Sequence, residues 1–293
     1  MTDAGQSIDL ETVILDFMRD SDRELAERLA AWPPDFAHIQ VHEVIGGLLA
    51  RQATLAKEIA GAPSLWNGHS APVLLRAMAD VHINLAWLIL DPPTRCLKYI
   101  AFGLGQAKLE LEHRRGEIGT RTPTPDEAAM LDAREAWINL QRATFLQDVD
   151  LGKWSGLSVR QMAEEAGCLD FYHYVYTPFS GAAHSMWHHV APYNLRTCGN
   201  PLHRYHRVPE SPMLEPDLQY LLLAAKYWDK SLDAFDAQFG LAAKPPSARQ
   251  SLIDILTLGG PNDQSPTGRS PNEPPKRAGM PDDQSPRRAS SPA

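Results

Sequence analysis

Four side chains with the chemistry for proton transfer or metal binding recur at every fourth position in one stretch of the chain. Tyr176, Ser180, His184 and His188 stand at i, i+4, i+8 and i+12, so on a helix they share one face. Two hydroxyls and two imidazoles in line suit a proton-transfer site or a metal site. They equally suit a hydrogen-bonded polar seam inside a helical bundle, and the residues alone leave both interpretations open.

His184 and His188 are candidate metal ligands, because imidazoles at i and i+4 have the spacing with which helices bind zinc. The glutamate that follows the first histidine in helical metalloproteases is absent, and Ser185 takes its place. Further ligands would come from four candidate carboxylates: Asp80, Glu110, Glu164 and Glu165. The alternative is that these histidines are buried or half-buried and satisfied by hydrogen bonds, in which case no cofactor is expected.

Ser180 and His184 are also candidates for a nucleophile and its general base. Residues at i and i+4 of a helix can touch, and Asp80 on another helix would then orient the imidazole, as the acid does in a hydrolase triad. Hydrolase serines usually lie on sharp turns within Gly-x-Ser-x-Gly, and this sequence lacks that motif. The missing motif speaks against a serine hydrolase.

Arg76 and Asp80 place a permanent cation and a carboxylate on one face of a second helix. His82 follows in Arg-Ala-Met-Ala-Asp-Val-His, a spacing that resembles the arginine–histidine motif of HEPN-type helical ribonucleases. There the arginine stabilises phosphate charge and the histidine moves the proton of the 2'-hydroxyl. Those domains usually have a polar residue directly after the arginine, whereas this chain has Ala77. The alternative is an ion pair between Arg76 and Asp80 that fixes the register of the bundle.

The composition predicts a soluble protein of a reducing compartment. The chain has 293 residues, of which 43% are hydrophobic, and a formal charge of −8. That charge argues against a nucleic-acid or anionic-membrane surface over the whole protein, although it leaves a local basic patch open. The cysteines, Cys96, Cys168 and Cys198, are odd in number and lack paired spacing, so no disulfide framework is expected. Without a signal sequence or a membrane-spanning apolar run, we expect a cytoplasmic protein.

The segments that carry these residues are predicted to be helices. Apolar residues recur at helical spacing and no segment alternates as a strand does, so the predicted fold class is all-α, a single multi-helix bundle. A central helix is expected to begin at the capping residue Ser70, and its buried stripe comprises Leu74, Met78, Val81, Leu85 and Leu88. Phe36 is expected to point inward from the preceding helix. The polar stripe lies on a helix from about Leu169 to Val190 with a kink at Pro178.

Three regions are predicted along the chain. Residues 1–34 form an N-terminal helix, residues 35–258 form the helical bundle, and residues 259–293 form a disordered tail. The tail is rich in proline, serine and arginine and has almost no aliphatic residues, so burial cannot offset its ordering entropy. The segment from Ala191 to Pro216 is expected to be irregular, and capping boxes at Thr124 and Ser158 are expected to start two further helices.

The order of these features resembles a family of bacterial all-helical proteins known only as a domain of unknown function. The resemblance spans about Leu48 to Val190 and rests on the following residues: Arg76, Asp80, Trp87, Asp91, Pro92, Arg95, Tyr99, Trp154, Arg160, Tyr172, Tyr176, Ser180 and His184. Members usually have glutamate where Asp80 stands, so the charge is kept and the reach is shorter. The family brings no established activity, but its architecture is similar to HEPN-type bundles, which implies RNA cleavage in phage defence or toxin–antitoxin systems.

Three functions are therefore expected. The first is a HEPN-like defence or stress effector that cleaves RNA without a metal, using His184 with Arg76 or Arg160. The second is a non-catalytic interaction or scaffold protein, dimeric through its helices, in which the polar stripe sets the register. The third is a metal-dependent hydrolase through His184 and His188. The candidate catalytic residues should meet in one polar cluster between the central helix and helix 169–190: Arg76, Asp80, Tyr176, Ser180 and His184.

Overall fold

The computed structural model describes residues 9–145, 155–241 and 245–258, which are mainly helical. The helices are α1 (Leu10–Ala31), α2 (Ile39–Ala60), α3 (Ala71–Leu88), α4 (Pro92–Ile118), α5 (Pro125–Phe145), α6 (Val159–Glu165), α7 (Leu169–Phe171), α8 (Thr177–Ala183), α9 (Trp187–Tyr193), α10 (Gln219–Phe239) and α11 (Ala248–Leu258). Short 3-10 turns cover Phe36–His38 and Pro63–Leu65, and a π-helical turn covers Tyr172–Tyr176. The predicted all-α class is confirmed.

One small sheet adds to the helices within the stretch that was expected to be irregular. Strands β1 (Leu195–Thr197) and β2 (Arg207–Pro209) are antiparallel, with Arg196 opposite Val208. Three residues per strand are too few for an alternating pattern to stand out from the sequence. The expectation that residues 191–216 are irregular is therefore wrong for these six residues, while the fold class stays all-α.

Helix α3 is the centre of the bundle and packs against α2, α6, α8 and α10. It is apolar almost all round, and such a helix must be covered on every side. Four residues of its predicted stripe are buried as expected: Met78, Val81, Leu85 and Leu88. Leu74 is only half-buried. The central position of α3 means that its few polar side chains meet partners from other helices.

Helix α1 shares this core and does not stand apart from it. Its buried residues Val13, Ile14 and Phe17 belong to the same apolar cluster as α3 and α10. Arg28 of α1 also forms a bidentate ion pair with Asp236 of α10, with Nε–Oδ1 and Nη2–Oδ2 distances of 2.9 and 2.8 Å. Both side chains are about nine-tenths buried, so the pair joins the first helix to the tenth inside the core.

The helix starts follow the capping signals in two of three cases. Thr124 and Ser158 form reciprocal capping boxes with Glu127 and Gln161. The expectation for Ser70 is wrong, because its backbone is already helical and its side chain caps nothing. The side-chain oxygen of Asn67 instead accepts the N–H groups of His69 and Ser70 before α3.

Phe36 does not point inward, since its side chain is 84% exposed. The residue lies in a 3-10 turn, and α2 begins only at Ile39. A 3-10 turn has three residues per turn and not 3.6, so the helical face drawn from Ile39 onward does not extend back to Phe36.

The stretch predicted as one kinked helix, 169–190, is divided into four pieces. The N–H of Thr177 bonds to the carbonyl of Tyr172, five residues back, so the turn over Tyr172–Tyr176 is π-helical. This wide turn lets α8 begin at Thr177 and places Pro178 in its first turn. Helical backbone runs through Tyr176 and Thr177 into α8, so a π-turn lies where a kink was expected.

Helix α8 ends at Ala183, and α9 begins at Trp187. The N–H of Met186 bonds to the carbonyl of Gly181 at 2.9 Å, and that of Ser185 to Ala182 at 3.2 Å. These two bonds form a Schellman motif, which requires a left-handed residue after the helix end. Ser185 supplies it with a φ of 50°. A serine thus occupies a position that usually belongs to glycine, and no sequence signal marked the break.

Two expectations concern the ends of the chain and the membrane. The disordered tail predicted for residues 259–293 lies outside the described residues, as do Trp154 and the first eight residues. Among the described helices, none combines the length and the apolar character needed to cross a bilayer.

Candidate functional site

The guanidinium of Arg76 is the hub of a polar cluster where α3 meets α8 and the π-turn. Its Nε donates to Ser180 Oγ at 2.7 Å, and Nη1 pairs with the carboxylate of Asp80 one turn along α3. Its Cζ lies 3.2 Å from the centroid of the Tyr176 ring. Only 9% of Arg76 is exposed. Four of the five residues predicted to meet are therefore in contact; the fifth, His184, is exposed and makes none of these contacts.

The Ser180 hydroxyl forms two hydrogen bonds, one to Arg76 of α3 and one to the π-turn. Its Oγ accepts the hydrogen bond from Arg76 and donates to the carbonyl of Tyr176 at 2.7 Å. The proton that a general base would remove is therefore engaged by a backbone carbonyl and not by an imidazole. This geometry does not resemble a serine nucleophile next to its base.

Tyr176 supports the guanidinium from one face. Its ring stacks on Tyr172 with centroids 4.8 Å apart and planes inclined by 22°. Burial raises the pKa of the Tyr176 hydroxyl, while the charge of Arg76 acts in the opposite direction. The neutral ring is thus a cation–π platform for Arg76.

Asp80 and His184 form the open side of the cluster. The Asp80 side chain is 42% exposed and His184 is exposed. Burial raises the pKa of the Asp80 carboxyl, and the charges of Arg76 and His184 oppose that rise. A buried arginine therefore fixes a carboxylate that is partly open to solvent and that is influenced by the charge of the exposed His184.

More imidazoles surround this edge of α8 and α9. His188 packs against Gly181, where an added Cβ would overlap its ring. His189 lies between His69, at 5.9 Å between ring centroids, and Tyr193, at 4.7 Å. Burial and the charges of His69 and His188 lower the pKa of His189. This edge of α8 and α9 therefore carries a group of imidazole rings that contact one another and Tyr193.

The helical spacing on which the metal interpretation of His184 and His188 rested is wrong. His184 lies after the end of α8, and His188 lies within α9, so the two do not share a helical face. Two of the suggested carboxylate ligands also have other partners. Glu110 pairs with Arg134 at 3.0 Å, and Glu165 accepts from the indole of Trp87 at 2.7 Å.

His82 does not share a site with Arg76. It is 2% exposed, its Nδ1 lies 3.2 Å from Ser231 Oγ, and burial lowers its pKa to about 3. The hydroxyl of Ser231 also accepts from the amide of the fully buried Gln52 at 3.0 Å. His82 is therefore a neutral core residue, and the Arg76–His82 spacing does not produce the arginine–histidine pair of a ribonuclease.

Trp87, Arg95 and Glu165 form a second cluster at the other end of α3. The guanidinium of Arg95 stacks on Trp87, with 3.9 Å from Cζ to the ring, and donates to the Trp87 carbonyl at 2.7 Å. Its Nη2 lies 3.4 Å from Glu165 of α6. Arg160, the alternative arginine, is exposed on the same helix α6. The cluster ties α3, α4 and α6 together.

Sequence reasoning missed one group of candidate ligands, in the loop between β1 and β2. One ligand atom from each of Cys198, His203 and His206 lies within 4.8 Å of the others. The signal available beforehand was the density of histidines between His173 and His206, six of the eleven in the chain. The spacing Cys-x4-His-x2-His matches no paired-cysteine motif, so it did not stand out.

Comparisons with known proteins bear on the same segment. The model of DUF5677, a family of unknown function, matches residues 42–200, more than half of the chain. Searches of curated proteins and of solved structures give no match. The matched range contains every residue of the Arg76 cluster and the span from Leu48 to Val190 that carried the resemblance. The chain therefore belongs to the DUF5677 family.

Proposed function

We propose that the chain is a HEPN-like, metal-independent ribonuclease that acts as a bacterial defence or stress effector. The observation that carries the proposal is the exposed His184, whose charge acts on Asp80, a carboxylate that the buried Arg76 fixes in place. A solvent-accessible imidazole that interacts through its charge with an oriented carboxylate has the composition of a general acid–base pair.

The roles follow from what each group can reach. His184 takes the proton from a 2'-hydroxyl, and the 2'-oxygen attacks the adjacent phosphorus to form a 2',3'-cyclic phosphate. The bond from phosphorus to the 5'-oxygen breaks, and the leaving 5'-oxygen takes a proton from water. Asp80 is the carboxylate partner of His184 in this proposal, the role that the acid of a triad has. Arg76 is a positioning residue, because its donors are directed to Ser180 and Asp80 and its side chain is 11% exposed.

The imidazoles around α9 support a polyanionic substrate. His69 and His188 lie near His189, and their charges add to burial in lowering the pKa of His189. Imidazole N–H groups can donate to phosphate oxygens, so this group of rings is a candidate contact surface for a phosphate backbone even though the net charge of the chain is −8. RNA fits better than DNA, because the reaction needs a 2'-hydroxyl.

The test is cleavage of a labelled RNA oligonucleotide by the purified full chain in EDTA, with products identified by mass. We expect products ending in a 2',3'-cyclic phosphate, no cleavage of the matching DNA, and loss of activity in His184→Ala. His113→Ala, an exposed histidine on α4, is the matched control and should retain full activity. Growth arrest on expression should likewise disappear only with His184→Ala.

Three results would overturn the proposal. They are no cleavage by the folded wild type, unchanged cleavage by His184→Ala, and cleavage that EDTA abolishes. Each variant should keep the wild-type far-ultraviolet circular dichroism, so that a loss of activity is not mistaken for unfolding.

A second candidate is a non-catalytic interaction protein that dimerises through its helices. The observation in its favour is on α5, where Met130, Trp137 and Leu140 are 51%, 43% and 62% exposed. In this case the Arg76 cluster only fixes the register between α3 and α8. Light scattering across a concentration series tests it: Trp137→Glu should convert a dimer into a monomer, and a wild-type monomer at all concentrations would exclude it.

A further inference from the structure

The loop that joins β1 to β2 brings together a thiol and two imidazoles that the proposed ribonuclease does not use. Cys198 follows β1, while His203 and His206 precede β2, and one ligand atom of each lies within 4.8 Å of the others. Both histidines lie beyond residue 200, where the family match ends. We propose that this loop binds one zinc ion through Cys198, His203 and His206, with a solvent molecule as fourth ligand.

The separation of the first two ligands already suits a tetrahedral ion. Cys198 Sγ and His203 Nδ1 are 3.6 Å apart, and bond lengths of about 2.3 Å to sulfur and about 2.0 Å to nitrogen place tetrahedral ligands about 3.5 Å apart. The rings of His203 and His206 lie 5.5 Å apart at an angle of 70°. His206 is exposed, so rotation of its side chain is enough to bring the third ligand in.

Backbone hydrogen bonds hold the ligand-bearing positions in register. The N–H of Cys198 donates to the carbonyl of His206 at 3.0 Å, so the first and last ligands face each other across the hairpin. The N–H of His206 in turn donates to the carbonyl of His203 at 3.1 Å. Asn200 Nδ2 lies 3.3 Å from His203 Nε2. The amide nitrogen only donates, so zinc binding at Nδ1, which leaves the ring proton on Nε2, exchanges this contact for one to solvent.

The ligand types select the metal. One thiolate and two imidazoles form a borderline-soft set that suits zinc, whereas calcium and magnesium require oxygen ligands. Zinc with three protein ligands keeps a fourth position for water. The proposal therefore names an open zinc site and not a closed structural one.

The hairpin itself is an independent reason to expect a cross-link. Each strand has three residues, and a two-stranded sheet of this length is marginal in water. The large apolar side chains of its loop, Leu202 and Tyr205, are 90% and 92% exposed, so they provide no core. A metal bound across the loop would supply the stabilisation that burial does not.

The experiment uses the full chain, reduced, freed of metal with a chelator and titrated with Zn²⁺ against a chromophoric chelator. We expect one zinc per chain. Co²⁺ in its place should give a thiolate-to-metal absorption in the near ultraviolet and intense tetrahedral bands in the visible. Cys198→Ser, His203→Ala and His206→Ala should each weaken zinc binding by more than about 100-fold, the upper end of what loss of an outer partner costs.

Cys168→Ser is the matched control, because Cys168 is a half-buried free thiol before α7. It should leave zinc affinity and the cobalt spectrum unchanged. The proposal is overturned if zinc does not bind stoichiometrically, if binding survives the double change His203→Ala with His206→Ala, or if the cobalt spectrum lacks the thiolate band. Helical circular dichroism should be the same in all variants, since the loop lies outside the core.

Discussion

Arg76 and Ser180 are 104 residues apart in the chain and share a hydrogen bond of 2.7 Å between Nε and Oγ. This bond joins the central helix α3 to α8, and the carbonyl of Tyr176 accepts the proton of the same hydroxyl. Because the guanidinium also rests on the ring of Tyr176, a single side chain fixes both the distance and the rotation of α8 relative to α3.

Replacing Arg76 should loosen this junction. Arg76→Ala removes a charged hydrogen bond and the stacking partner of Tyr176, and we expect a loss of about 2–3 kcal/mol in the free energy of unfolding. Arg76→Lys should recover less than half, because an ammonium cannot reproduce the planar fork or its stacking. Urea unfolding measures both. Arg114→Ala is the control, since its pair with Glu117 is exposed. A loss no larger than that of Arg114→Ala would contradict this role.

The ion pair between Arg28 and Asp236 should show the asymmetry of buried charges. Asp236→Leu leaves the guanidinium of Arg28 buried without its partner, and we expect a loss of about 3–5 kcal/mol. The double change Arg28→Met with Asp236→Leu should recover most of that loss, because an apolar pair avoids the desolvation cost. A double-mutant cycle by urea unfolding measures the coupling. Additive losses from the two single changes would show that the residues do not interact.

His82 should make the protein sensitive to mild acid. Its pKa is about 3 in the folded state, against 6.5 when unfolded, so below pH 6.5 the unfolded chain binds a proton that the folded chain does not. Stability is therefore lost as pH falls from 6.5 toward 3, with a slope approaching about 1.4 kcal/mol per pH unit. Urea unfolding between pH 7 and 5 should give a shallower slope for His82→Gln. Parallel slopes for the two proteins would exclude this assignment.

Ser185→Gly should stabilise the protein. Position 185 has a φ of 50° in the Schellman motif after α8, where glycine meets no Cβ penalty. We expect a gain of about 0.5–1 kcal/mol in unfolding free energy for glycine and a loss of about 1–2 kcal/mol for Ser185→Val. Ser211→Gly, at an exposed position whose φ is not positive, should give no gain. If both glycine variants behave alike, backbone strain at Ser185 is not the cause.

Much of the fold could be predicted from local signals, because these act over a few residues. The capping boxes at Thr124 and Ser158, the proline in the first turn of α3, and most of the buried stripe of that helix are present as expected. The convergence of Arg76, Asp80, Tyr176 and Ser180 also followed, because polar groups on an apolar helix must find partners.

The remaining features depend on competition between local and tertiary structure. A π-turn at Tyr172–Tyr176 and a helix end at Ser185 contain no glycine signal, so periodicity alone extends the helix through both. The cluster of Cys198, His203 and His206 forms only when a hairpin folds the loop back. The buried pair Arg28–Asp236 joins residues more than 200 positions apart, and spacing along one helix carries no information about it.

The π-turn at Tyr172–Tyr176 sets the rotation of α8 about its axis. A π-turn holds one residue more than an α-turn, so deleting one residue there would restore an ordinary helix and rotate all that follows by about 100°. Ser180 would then face away from Arg76, and the aromatic platform at Tyr176 would move with it. The number of residues between Phe171 and Ser180 is therefore part of what places Ser180 and Tyr176 against Arg76. An insertion or deletion in this turn should disrupt the cluster even where every one of its side chains is kept.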